Sequence, residues 1–179
     1  MASILEQACE VVTPDVVRVV SSIIDDTSAR TRSGLATAIS ATLSGAAVTA
    51  ATPGGADWVR MMIAEGCYGA GPLERVVHVL GNGKVHETFM TAGRYLLTGL
   101  FGSRQEDVAE AIAKSTHLSG AAARDVLCIA APIVMTVIGA EMIRRRLDGV
   151  GVMHLLAGQR ASIADATPPA VAAVVRLAA

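Results

Sequence analysis

Two long stretches without a charge set the terms on which this chain can fold. From Ser33 to Ala56, and again from Val126 to Ala140, there is no Asp, Glu, Lys or Arg. A helix that is apolar on every side has to be covered by neighbours or by lipid. The second stretch is shorter than the roughly 20 residues that cross a bilayer, contains Pro132, and lies between Asp125 and Glu141. The first is long enough, but it is rich in Ser, Thr, Ala and Gly and ends in Pro53-Gly54-Gly55. Its Ser40/Ser44 and Ala41/Gly45 spacings suit close helix contact in either medium. Core packing is the expectation for both stretches, and membrane insertion is not expected.

The remaining chain reads as shorter helices that would wrap this pair, giving an all-α, compact multihelical single domain over residues 1–179. A chain of 179 residues with 52% apolar composition can bury one substantial core. Aromatic residues make up only 3%, so that core has to come from close approach of small-faced helices and not from large rings. Thr13-Pro14, Thr52-Pro53 and Thr167-Pro168 each combine a capping hydroxyl with the residue best suited to a first helical position. Ser103 and Glu106 have capping-box spacing, and Ser119 follows Leu118, which is placed as a hydrophobic staple. The resulting helices span about 3–11, 14–25, 29–50, 53–65, 72–80, 84–100, 104–116, 120–146, 150–158 and 168–178. A hairpin over RVVHVLGNGKVHET, turning at Asn82-Gly83, is the one strand alternative. Val126, Ile129, Ile133 and Val137 line one face of the second apolar helix, and Leu127, Val134 and Ile138 another, with a kink expected at Pro132.

The two halves repeat a layout: an amphipathic helix, a capping serine (Ser28 or Ser119), then a long uncharged helix. An internal duplication would explain it.

Several local sequences match a known family. They are LFGS at Leu100 to Ser103, the Leu118-Ser119 turn with Ala123, the run from Ala130 through Pro132 to Met135, and Gly139. The match extends through Thr13-Pro14, Ser28 and LLAGQRASIADATPP from Leu155 to Pro169. On these residues the chain resembles the YidB-like family, bacterial proteins catalogued mainly as a domain of unknown function. The resemblance implies a helical fold and brings no catalytic residue with it. Some relatives are fused to a peptidoglycan-binding envelope domain, which implies a conditional membrane or envelope role as an alternative.

A net charge of −1 and a pI near 6.4 provide no field for nucleic acid or an anionic membrane, so no nucleic-acid partner is expected. Cys9, Cys67 and Cys128 are odd in number and lack CxxC or Cys/His spacing, which fits a reduced cytoplasmic setting. MASILEQACE carries Glu6 and Glu10 where a secretory leader needs a basic region and an apolar run. His78, His86, Glu74 and Glu87 are the only four candidate ligands that cluster, and their spacing matches no metal pattern. No metal or other cofactor is expected. GAGPLE at Gly69 and GNGK at Gly81 are too short for phosphate loops. Asp25-Asp26 reads as a turn, while His117 and His154 stand alone.

With no catalytic constellation, the expected function is a non-catalytic structural or interaction protein, a homo-oligomer with or without another protein partner. An enzyme with an unrecognised site is the other alternative. The candidate contact residues are Val171, Val174, Val175 and Leu177, in a terminal segment 168–179 that would dock or swap, together with Arg144, Arg145 and Arg146.

Overall fold

A computed structural model describes residues 2–69, 80 and 83–176, with 83–85 in backbone only. Among these residues the regular elements are helices, and no strand occurs. In chain order they are α1 (Ile4–Glu10), α2 (Pro14–Ile24), α3 (Ser28–Ala50), α4 (Gly55–Glu65) and α5 (Gly83–Phe101). A 3-10 turn over Gly102–Arg104 leads into α6 (Gln105–Thr116), α7 (Gly120–Arg145), α8 (Gly149–Ala157), α9 (Arg160–Ala166) and α10 (Pro169–Val175). Of the expected helix over 72–80, and of the hairpin's first limb, only Leu80 is among the described residues, and it is helical and buried. The hairpin's second limb, from Gly83, is helical.

Hydroxyl caps set many of the helix starts. Thr13 accepts the Val16 amide, and Ser119 accepts the Ala122 amide at 3.1 Å. Ser3 and Glu6 form a capping box that the sequence reading passes over. Four expected caps are displaced. The cap of α3 is Thr27, one residue before Ser28. Thr52 lies in a turn, its hydroxyl donating to Thr49 O, and α4 starts after Gly54 in left-handed backbone. Thr167 ends α9 and Pro168 precedes α10, because the Thr167 hydroxyl donates to Ile163 O, behind it. Ser103 sits inside the 3-10 turn, so the Ser103/Glu106 box does not form. Helix α9 falls in a stretch that the sequence reading leaves between two helices.

The two uncharged stretches become the centre. The most extensive helix contact joins α3 to α7, and α3 touches every other helix among the described residues. That explains why α3 has no polar face. Both helices are long and apolar enough to cross a membrane, yet both are mostly buried within the fold. Leu35, Ile39 and Leu43 of α3 meet Ile129, Ile133 and Ile138 of α7 in one apolar cluster, all essentially inaccessible. Burial of each such side chain contributes roughly 1.5–3 kcal/mol.

Pro132 does not interrupt α7, which continues from Gly120 to Arg145. Lacking an amide hydrogen, it leaves the carbonyl four residues earlier, that of Cys128, without its helical donor. Gly93 of α5 lies against that carbonyl: a side-chain carbon on Gly93 would collide with Cys128 O. An approach this close brings a glycine Cα–H toward the free oxygen, a weak favourable contact. The helix-breaking residue is thus tied to the packing of α5 on α7.

Candidate interaction surface

The residues expected to make contacts with other molecules are mostly occupied within the chain. Val171 and Val175 are buried where α10 packs on α3 and α6, and Val174 is half-buried. Arg104 donates to Val174 O at 2.9 Å and to Val175 O at 3.5 Å, closing the free end of α10. Thr167 shares a buried hydroxyl contact of 3.3 Å with Ser44 of α3. Through residue 176 the terminal segment packs on its own chain, so Val171 and Val175 present no open face. Leu177 lies outside the described residues.

Arg144 and Arg145 are not a free basic patch either. Both bind Glu141, whose carboxylate is 4% exposed, each at 2.6 Å, and Gln7 of α1 donates to the same group at 3.4 Å. Burial raises the Glu141 pKa, but the hydrogen bonds from Arg144 and Gln7, with the charges of Arg145 and Arg144, outweigh it and hold the carboxyl below its ordinary value. Arg146 caps α7 in left-handed backbone and is exposed. The sequence pattern RRR could not show that a glutamate one turn back claims two of the three.

His78 and Glu74 lie outside the described residues. His86 is half-buried on α5 and its Nδ1 has no hydrogen-bond partner among them. No group of three or more His, Cys, Asp and Glu side chains able to hold a metal occurs among the described residues. Asp25 caps α2 in left-handed backbone, and Asp26 accepts the Thr27 amide at 2.6 Å, so this pair shapes the turn before α3. His117 ends α6 and His154 is exposed on α8. Burial pushes the Cys128 thiol up to about 11, as expected of a small buried hydrophobe. Cys9 is half-buried and Cys67 exposed.

A different surface emerges between α4 and α5. The chain's five aromatic residues, Trp58, Tyr68, Phe89, Tyr95 and Phe101, all fall within 58–101. Helices α4 and α5 make only sparse backbone contact and flank a cleft of about 230 Å³. Met62 and Leu96 are its buried lining, while Tyr68, Tyr95 and Glu65 stand around it. The Trp58 ring lies on Gly99, where a side chain would displace it. Tyr95 is 64% exposed and Met61 43% exposed, two of the large apolar side chains most open to water. Aromatic residues and methionine are enriched where proteins bind proteins. The aromatic spacing was visible in the sequence; what it could not show is that a cleft lies between α4 and α5 and that Tyr95 stays exposed at it.

A family model described as a bacterial protein of unknown function, DUF937, matches residues 7–141. The chain belongs to this family. The match runs from α1 to the buried Glu141 of α7, takes in both central helices and the α4–α5 surface, and agrees with the YidB-like resemblance. No curated protein and no solved structure matches the chain.

Proposed function

We propose that this protein is a non-catalytic interaction protein that self-associates by helix packing. The observation that carries the reading is the exposed Tyr95 at the α4–α5 cleft, which Tyr68 also lines, with Met61 exposed on α4. A Tyr or Met side chain left in water gains free energy by moving into a partner, and such anchors dominate binding energy at interfaces. Self-association through this face replaces the terminal helix as the preferred site, since Val171 and Val175 already have partners within their own chain. The family description supplies no activity that competes with this reading.

The test is the mass in solution, measured by light scattering at two protein concentrations. Growth of the mass with concentration, lost in Tyr95→Ala with helicity unchanged, supports the reading. A monomer mass at both concentrations sinks it.

A further inference from the structure

The outer side of α5 carries Glu87, Thr91, Arg94 and Thr98 in one stripe, with Tyr95 beside it, and all five are exposed. Neither Glu87 nor Arg94 has an ion-pair partner among the described residues. Arg94 donates to the Thr91 hydroxyl at 3.2 Å, and the Thr98 hydroxyl donates back to Arg94 O at 2.9 Å. The Thr98 hydroxyl is thus turned onto its own helix, the Thr91 hydroxyl is engaged by Arg94, and both side chains are small. The half-buried Asp125 of α7 attracts Arg94 from the inner side, but without a salt bridge.

We propose that α5 lies antiparallel across α5 of a second copy, about a two-fold axis beside Thr91, pairing each Glu87 with the other copy's Arg94. This deepens the self-association reading and rests on it. At a rise of 1.5 Å per residue, Glu87 and Arg94 stand about 10 Å apart along the helix with Thr91 near the midpoint. A two-fold axis at that midpoint reverses their order, so both pairs form at once in a closed, isologous contact. The chain's own stripe is therefore its own complement in charge. The small Thr91 at the crossing permits close approach, and Tyr95, one turn on, supplies apolar area at the edge of the contact. Charge pairs of this kind fix register and partner choice more than they add affinity.

Glu87→Arg and Arg94→Glu test the pairing by light scattering at a concentration where the parent is dimeric. Each variant alone is expected to dimerise about tenfold more weakly or worse, because its two-fold contact now sets like charges together. An equimolar mixture of the two variants restores both pairs and should recover the dimer mass. A parent that stays monomeric overturns both the self-association reading and this contact. A dimeric parent whose variants remain dimeric overturns this contact alone, and so does a mixture that fails to recover. Circular dichroism checks that Arg94→Glu, which faces Asp125, still folds. If it does not, Thr91→Arg places charge on the axis, and a parent-like mass for that variant overturns the contact.

Discussion

Helices α3 and α7 are both enclosed on nearly every side, but by opposite chemistry. Helix α7 achieves it with branched aliphatic side chains and has almost no polar atom to satisfy in its central turns. Helix α3 places Thr37, Ser40, Thr42 and Ser44 in the same environment. Three of these hydroxyls donate within their own helix: Ser40 to Thr37 O at 2.9 Å, Thr42 to Ala38 O and Ser44 to Ser40 O at 2.8 Å. A buried hydroxyl without a partner costs roughly 1–3 kcal/mol, and satisfying it locally removes that cost. The small residues also let every other helix among the described residues reach α3, where longer side chains would hold them away. Polar composition is therefore compatible with a central position provided each polar group can be satisfied inside the helix that carries it.

The sharpest way to break this contrast is to put an unsatisfiable group into α7. Ile133→Asp buries a carboxylate at a site 1% exposed, at a cost of several kcal/mol against a total stability of about 5–15. We expect loss of the cooperative thermal transition, and a melt like the parent's would remove α7 from the centre. Next, Gly93→Ala forces a carbon against the Cys128 carbonyl. Overpacking of this kind costs about 1–3 kcal/mol, seen as a lower urea midpoint.

Glu141→Gln comes third and adds a pH dependence. The folded carboxyl titrates below its ordinary value of 4.5, so its contribution is complete above that pH and fades as pH falls through the depressed folded value. Stability of the parent should drop on acidification below about 4.5, with a shallower drop in Glu141→Gln. Glu6 and Glu110, also depressed by their partners, share in the residual acid sensitivity of both proteins. The smallest effect is expected for Thr42→Val in α3, under about 1 kcal/mol, because the Ala38 carbonyl keeps its helical amide. A larger loss would mean that this hydroxyl does more than satisfy itself.

Much of the architecture was legible because charge silence over a helix-length stretch has few physical explanations. Ser33–Ala56 and Val126–Ala140 located both central helices, and Ser119 and Thr13 located two of the starts. Thr52 and Thr167 misled because a hydroxyl can equally donate to a carbonyl behind it, and nothing local decides which. The interaction surface was the least legible part. Val171 and Val175 have the spacing of a contact face, but whether such a face closes on its own domain or another depends on distant residues, here Ser44 and Arg104. The run Arg144 to Arg146 looked open for the same reason, its carboxylate partner being visible only as one acid among many.

Pro132 and Gly93 behave as the two halves of an address. In a core made of alanines, valines and leucines, many sliding arrangements of two helices bury nearly the same area and differ little in free energy. The carbonyl left bare at Cys128 breaks that degeneracy, since moving α5 by one turn in either direction would set Phe89, Met90 or Leu97 near it in place of a bare backbone. One residue that cannot donate and one that has no side chain together give α5 a single seat on α7. Everything α5 presents to the outside, from Glu87 to Tyr95, inherits its position from that seat.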